Sequence, residues 1–172
     1  MKTIMVLGAG YMGSGIAQVC ANVGYHVLFW DLTDELVKEG IDKIAAGLDA
    51  RIAKGKDTEE HKAELLGRLE VTTNLDEAKR ADLIIEVIVE NRDIKQNVLK
   101  QIEAACSQDT IIATNTSYLP ITALAECLKR RDRFLGIHFF GPVPAMKLIE
   151  VIRGEETSDE AVSVAQEFAN SI

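Results

Sequence analysis

The sequence predicts an α/β fold: a doubly wound, mostly parallel sheet with a helical hairpin inserted after its second strand. Three observations predict it. The apolar run Ile4 to Leu7 passes directly into Gly8-Ala9-Gly10-Tyr11-Met12-Gly13, three glycines at the spacing of a tight strand-to-helix turn. A segment with Ile16, Val19, Cys20 and Val23 at helical spacing follows, and then a second apolar run, His26 to Trp30, that ends on Asp31. Further on, Asp82 to Val89 is almost wholly apolar, the composition of a parallel strand buried on both faces.

Each glycine has a physical task. Gly8 permits the turn out of the strand, Gly10 lets the backbone approach a pyrophosphate, and Gly13 lets the helix pack closely. The helix N-terminus offers free N–H groups and a positive dipole end to phosphates. Asp31 stands where a carboxylate accepts both ribose hydroxyls and repels a 2′-phosphate, so the motif reads as NAD rather than NADP. Together these features describe a Rossmann-type NAD-binding domain spanning 1–172. The plainer reading is a domain that keeps the turn and binds nothing.

The remaining elements follow in order. Thr33, Asp34 and Glu35 start a helix with acids in its first turn, and Val37, Ile41, Ile44, Leu48 and Ile52 form its apolar stripe. The helix breaks at Lys54-Gly55-Lys56-Asp57, and a second runs from about Thr58 to Leu66. Two helices are more than a crossover needs, so residues 34–67 read as a hairpin projecting from the sheet. Arg51, Lys54 and Lys56 lie near its tip, either as a solvated mixed-charge end or as a site for an anionic substrate tail. Leu69 to Thr73 reads as strand three. Glu86 interrupts the apolar run of strand four, where a buried carboxylate needs partners, and Glu90 ends it at the edge where such sheets place ligands. Ile94, Val98 and Ile102 mark a helix face, with Lys95 just inside its start. Thr110 to Thr114 is a strand ending in the polar loop Asn115-Thr116-Ser117-Tyr118, and Pro120 suits the first turn of a short helix. Phe134 to His138 is another strand, Gly141-Pro142-Val143-Pro144 turns the chain, and Met146 to Ile152 runs back. Ser158 caps a last helix with Val162, Ala165 and Phe168 inward.

Composition narrows the function. The net charge of −8 leaves no basic stripe for nucleic acid, so an anionic cofactor must be held locally by backbone N–H groups. No apolar run approaches the roughly 20 residues that span a bilayer, and the first strand begins too early for a leader peptide, which together point to the cytoplasm. Cys20, Cys106 and Cys127 are odd in number and scattered, the pattern of reduced thiols rather than a disulfide or metal set. No metal is expected.

Ser117, His138 and Glu150 are polar groups at the ends of apolar runs. The tight turn after Phe140 could fold Glu150 back beside His138. A carboxylate on one imidazole nitrogen fixes the tautomer and raises the basicity of the other, and Ser117 could then hold a substrate oxygen. Each also has a plainer reading, as a structural histidine or a turn-capping serine. A serine hydrolase fits less well, since there is no Gly-x-Ser-x-Gly elbow around Ser117.

The chain closely resembles, essentially end to end, the NAD-binding domain of the L-3-hydroxyacyl-CoA dehydrogenases, which include bacterial 3-hydroxybutyryl-CoA dehydrogenases. The resemblance is carried by Gly8 through Ala17, Val89-Glu90-Asn91, Asn115-Thr116-Ser117, and His138-Phe139-Phe140 through Pro142-Val143-Pro144-Ala145-Met146-Lys147-Leu148-Ile149-Glu150. It implies reversible oxidation of a 3-hydroxyacyl-CoA by NAD, with a His138–Glu150 catalytic pair and a substrate-oxygen contact from Ser117. It implies cofactor contacts from Gly8, Gly10, Tyr11, Met12, Gly13 and Asn115, an adenosine-ribose contact from Asp31, and nicotinamide-side contacts from Glu90 and Lys95. It also implies that the hairpin, through Arg51, Lys54 and Lys56, helps to hold coenzyme A. Two positions depart from the family pattern: Gly141 stands where Asn is usual, and Thr114 where Ser is common. Family members continue into a helical domain that completes the acyl pocket and forms a homodimer. This chain is expected to end before that domain, leaving Phe139, Phe140, Val143 and Met146 as an exposed apolar patch. The early glycine turn favours a monofunctional enzyme over a fused one. Two other readings stay open: an NAD-binding module without turnover, and a dehydrogenase of another small hydroxy acid.

Overall fold

A computed structural model describes the whole chain, residues 1–172. The architecture grows from the first turn. β1 (Thr3–Leu7) has four consecutive buried residues, with Ile4 and Val6 in one core cluster and Met5 and Leu7 in another, as the two-residue period of a strand requires. Gly8 leaves the strand at φ +112°, a conformation that disfavours any side chain, and its N–H donates to the Trp30 carbonyl at 2.8 Å. α1 (Tyr11–Asn22) then buries Ile16, Ala17, Cys20 and Ala21 on one face of the sheet. β2 (His26–Trp30) returns parallel to β1.

Next come α2 (Asp34–Ile52), α3 (Glu59–Gly67), β3 (Leu69–Thr72), β4 (Leu83–Glu86), α4 (Arg92–Ala105), β5 (Ile111–Thr114), α5 (Ile121–Ala125), β6 (Phe134–Phe139), β7 (Ile149–Arg153) and α6 (Asp159–Ser171). The strand order is β3-β2-β1-β4-β5-β6-β7. Only β7 is antiparallel. The order reverses between β1 and β4, and the crevice at the carboxyl ends of those strands is where this topology places ligands. Thr33, Thr58, Asn91 and Ser158 cap their helices through side-chain oxygens.

Four details differ from the sequence reading. The hairpin does not project clear of the sheet: Val37, Ile44 and Leu48 of α2 and Leu65 of α3 are buried with the α1 face in the larger core, and the outer faces of both helices and the tip stand in solvent. β4 stops at Glu86 rather than continuing to Val89, because the Glu86 carboxylate accepts the Ile88 N–H at 2.8 Å and turns the chain out of the ladder. α4 buries Lys95, Leu99 and Ile102, while Ile94 is 47% exposed. Finally, Phe139 and Val143 are not a surface patch. Strand alternation sends Phe139 inward, its ring edge-on to Phe168 at 6.4 Å, and Val143 packs against Gly15 of α1. Of the four residues, only Met146 is exposed.

Candidate active site

The glycine turn forms one wall of the crevice. Gly10 caps α1 with no side-chain hydrogen bond, so the first-turn N–H groups of Tyr11, Met12 and Gly13 remain for a ligand. A Cβ built on Gly10 meets no protein atom within 4 Å, whereas one on Gly13 would overlap the Gly8 carbonyl. Gly13 therefore serves close packing, and Gly10 keeps an approach open.

Asp31 follows β2 and is held from two sides: Oδ2 accepts the Ala9 N–H at 2.7 Å and Oδ1 accepts the Leu32 N–H at 2.7 Å. The carboxylate thus braces the turn, a structural task the sequence did not disclose. Beside it lies a cavity of about 360 Å³, mostly apolar, whose walls include Asp31, Leu32, Val89, Ile94 and Val98. This explains the exposure of Ile94, which is apolar because it lines the crevice, while Val98 both lines it and packs against the smaller core.

A second cavity, about 380 Å³, is lined by Met12, Glu90, Lys95, Asn115, Ser117 and Tyr118 among others. Under it lies a buried charge cluster. Lys95 Nζ donates to Glu86 at 2.6 Å and to the Ile88 carbonyl at 3.3 Å, and pairs with Glu90 at 3.1 Å. Glu86, fully buried, also accepts from Thr114 Oγ1 at 2.7 Å, which supplies the partners its place in the strand demanded. Lys95 lines the cavity, but its ammonium is committed to these carboxylates. Glu90 in turn accepts from the Thr116 hydroxyl and from the Ser117 N–H at 3.1 Å. Partial burial pushes the Glu90 carboxyl up, but Thr116, the Lys95 charge and the Ser117 N–H together hold it below its ordinary value. Thr114 and Thr116 are site residues that sequence reasoning passed over; their positions beside Asn115 and Ser117 were the available signal. Asn115 accepts the Phe139 N–H at 2.8 Å through Oδ1, leaving its NH2 group for a ligand.

Antiparallel pairing of β6 with β7 sets His138 opposite Glu150. His138 Nδ1 lies 2.8 Å from Glu150 Oε2, and Nε2 lies 3.1 Å from Ser117 Oγ. A carboxylate only accepts, so Nδ1 carries the proton, and Nε2 is left as the acceptor for the serine hydroxyl. The three residues form one hydrogen-bonded row at the carboxyl edge of the sheet. The Phe140 ring lies against the imidazole, 4.5 Å between centroids. At Gly141, a Cβ would stand 3.0 Å from the Tyr11 ring, so the room an Asn would need is occupied by Tyr11.

Arg51, Lys54 and Lys56 sit at the hairpin tip. The Arg51 guanidinium donates to Asp57 at 3.0 Å and to the Lys56 carbonyl at 3.3 Å. Its charge is already balanced, so Lys54 and Lys56 carry the unpaired positive charge there. A further cavity, about 540 Å³, lies at the far end of α4 between Lys100, Cys106, Cys127 and Arg130, away from all of these groups. No group of three His, Cys, Asp or Glu side chains is placed to hold a metal ion, and no helix is long and apolar enough to cross a membrane.

Comparison with known proteins decides what this arrangement belongs to. Residues 3–172 match the family described as 3-hydroxyacyl-CoA dehydrogenase, NAD binding domain. The chain belongs to this family. Its cofactor is NAD. A probable 3-hydroxybutyryl-CoA dehydrogenase of Bacillus subtilis is 44% identical over 160 residues, 93% of this chain and 56% of the relative. A fatty acid oxidation complex subunit alpha of Pseudomonas syringae pv. syringae is 41% identical over 172 residues, all of this chain and 24% of the relative. In three dimensions, the (S)-3-hydroxybutyryl-CoA dehydrogenase of Ralstonia eutropha superposes with a TM-score of 0.97 at 44% identity, over 99% of this chain and 60% of that one. The chain thus spans little more than half the length of the Bacillus and Ralstonia relatives. The 3-hydroxyacyl-CoA dehydrogenase fold accounts for the seven-stranded, mostly parallel sheet and its flanking helices.

Proposed function

We propose that this domain binds NAD and carries the acid–base half of a reversible oxidation of L-3-hydroxyacyl-CoA to 3-oxoacyl-CoA. The observation that carries the reading is the Glu150–His138–Ser117 row beside a glycine turn that a pyrophosphate can approach.

The chain's residues fit the cofactor. The open face of Gly10 and the uncapped N–H groups of α1 suit the phosphates. Asp31 retains acceptor capacity beyond its two backbone bonds for the ribose hydroxyls, and the apolar cavity next to it suits a flat base. When bound, NAD supplies the ring carbon that accepts a hydride from C3 of the substrate.

The protein's own part is proton handling. In the absence of substrate, the Ser117 hydroxyl occupies His138 Nε2. A substrate hydroxyl takes that place, and Ser117 turns to donate to the substrate oxygen. As the hydride leaves, Nε2 takes the hydroxyl proton, and Glu150 stabilises the imidazolium that results. In reverse, His138 protonates the alkoxide that forms from the ketone.

The thioester tail has a surface to follow. A shallow cavity of about 420 Å³ runs between α1, α2 and the 142–144 turn, and a smaller one continues from Gln18 and Pro144 to Arg51 and His61. Lys54 and Lys56 beyond it suit the coenzyme A phosphates. The reading further holds that a following helical domain closes the acyl pocket and forms a homodimer. It places the protein in the cytoplasm, where Cys20, Cys106 and Cys127 remain free thiols.

The test is NAD reduction with L-3-hydroxybutyryl-CoA, with free 3-hydroxybutyrate as the comparison. Turnover of the thioester, and little of the free acid, supports the reading. Equal turnover of both would favour a small-hydroxy-acid dehydrogenase, and NAD binding with neither turned over would leave a binding module.

A further inference from the structure

We propose that the buried Glu86–Lys95–Glu90 cluster weights the cofactor cavity toward the oxidised, cationic nicotinamide, and that Glu86 sets this bias. The inference rests on the NAD reading above, with the nicotinamide ring seated in the cavity lined by Met12, Glu90, Asn115 and Ser117, where the Ser117–His138 row can reach the substrate.

One ammonium lies between two carboxylates, 2.6 Å from Glu86 and 3.1 Å from Glu90. Lys95 is 1% exposed and Glu86 0%. Every donor of Lys95 is committed, to Glu86, Glu90 and the Ile88 carbonyl. Glu86 is filled as well, by Lys95, the Ile88 N–H and the Thr114 hydroxyl. No other cationic side chain lines the cavity. Two carboxylates against one ammonium leave one negative charge. The member that reaches the cavity is Glu90, whose side chain is 29% exposed, with the ammonium behind it.

Stability is a poor account of such a cluster. Buried ion groups lose hydration that their pairing barely restores, and apolar residues of equal volume commonly serve the fold as well. Chemistry supplies a better account. The nicotinamide ring is cationic when oxidised and neutral when reduced, so a fixed negative charge beside it favours the oxidised form on the protein. The bound equilibrium then tilts toward hydride delivery from the reduced ring to a 3-oxo substrate, with the proton coming from His138.

Glu86 is decisive because Lys95 alone would cancel Glu90. Glu86 takes up that cancelling charge without lining the cavity itself. Glu86→Gln keeps the packing: its amide oxygen can accept from Lys95 and the Ile88 N–H, and its NH2 can donate to Thr114. The cluster then becomes neutral.

The experiment is calorimetric titration of the chain and of Glu86→Gln with NAD+, NADH and ADP-ribose, the last lacking the ring. The expected result is a rise in Kd(NAD+)/Kd(NADH) on the order of tenfold in the variant, with the ADP-ribose Kd within about twofold of the parent. An unchanged ratio overturns the proposal. So does an equal weakening of all three ligands, which marks a merely structural role. If Glu86→Gln does not fold, Glu90→Gln must show the same shift in ratio, and an unmoved ratio there overturns it too. A parent chain that binds none of the three ligands defeats the NAD reading and this inference together. Binding with an unmoved ratio defeats the inference alone.

Discussion

Two alanine substitutions two positions apart should separate folding from binding. Gly10 sits at φ −70° and ψ −168°, ordinary extended backbone that alanine adopts, and a Cβ there meets nothing within 4 Å. Alanine at a helix N-cap is worse than glycine by some tenths of a kcal/mol to about 1, and the stiffer unfolded chain returns about 0.4–1 kcal/mol. Gly10→Ala should therefore change folding stability by less than about 1 kcal/mol. The new methyl stands in front of the uncapped N–H groups, where it costs the phosphates at least one charge-assisted hydrogen bond of about 1.5–3 kcal/mol. NAD affinity should fall on the order of tenfold to a hundredfold. Gly8→Ala should do the opposite. At φ +112°, with a Cβ 2.7 Å from the Val87 carbonyl oxygen, the strained backbone costs about 1–2 kcal/mol and the overpacking about 1–3 kcal/mol. At roughly 2–4 °C per kcal/mol for a domain of this size, its Tm should drop by about 5–15 °C. Thermal unfolding and calorimetric titration read the two effects separately. A Gly10→Ala variant that binds NAD as well as the parent would show that no phosphate approaches there, and the account of the turn would fail.

Further outcomes follow from the same geometry. Asp31→Ser should weaken NAD about tenfold to a hundredfold and raise relative NADP affinity, since the ribose hydroxyls lose an acceptor and a 2′-phosphate loses its repeller; parallel titrations check this, and undiminished preference for NAD would contradict it. Glu150→Gln should lower the rate of 3-oxoacyl-CoA reduction about a hundredfold while leaving NAD affinity within about twofold, because Glu150 touches only His138 at the site. On the far side of the sheet, Arg80 grips Glu70 at 2.6 and 2.7 Å, and His26 adds a bond at 2.9 Å. Arg80 first and His26 second outweigh partial burial and hold the Glu70 carboxyl at about 2, down from 4.5. A depressed carboxyl stabilises the fold above its unfolded value and loses that contribution as pH falls from 4.5 toward 2. At 41% exposure the contribution is under about 1 kcal/mol. Glu70→Gln should lower Tm by no more than about 4 °C at neutral pH and flatten its fall below pH 4.5; an unaltered acid slope would refute the assignment.

The first βαβ unit was readable because each of its residues obeys one constraint. Gly8 answers to backbone conformation, the Ile4-to-Leu7 run to burial, and Asp31 to its place after β2. The oddity of Glu86 was readable as a debt in partners, but the identity of those partners was not, because Lys95 and Thr114 are separated from it by a helix and a strand. On α4, Ile102 and Val98 pack against the core but Ile94 answers to a cavity, and periodicity cannot tell a ligand wall from a core. Phe139 and Val143 looked like a docking patch until β6 and the 142–144 turn set them against Phe168 and Gly15. The Ser117–His138–Glu150 row needed the register of β6 on β7, which the tight turn suggested and only the three-dimensional pairing fixed. For the hairpin, the sequence supplied the helices and their break but not the packing of α2 along α1, since an apolar stripe does not name what covers it.

The central claim is that His138 moves the proton in a hydride transfer. It is tested most directly by mixing the NADH-saturated chain, in excess, with acetoacetyl-CoA and following the loss of the NADH absorbance in a single turnover. Excess protein keeps even a slow reaction measurable. The account predicts that His138→Ala slows this step about 10²- to 10⁴-fold, with NADH affinity unchanged within about twofold. Equal single-turnover rates for the parent and His138→Ala would contradict it and return His138 to a structural residue at the end of β6.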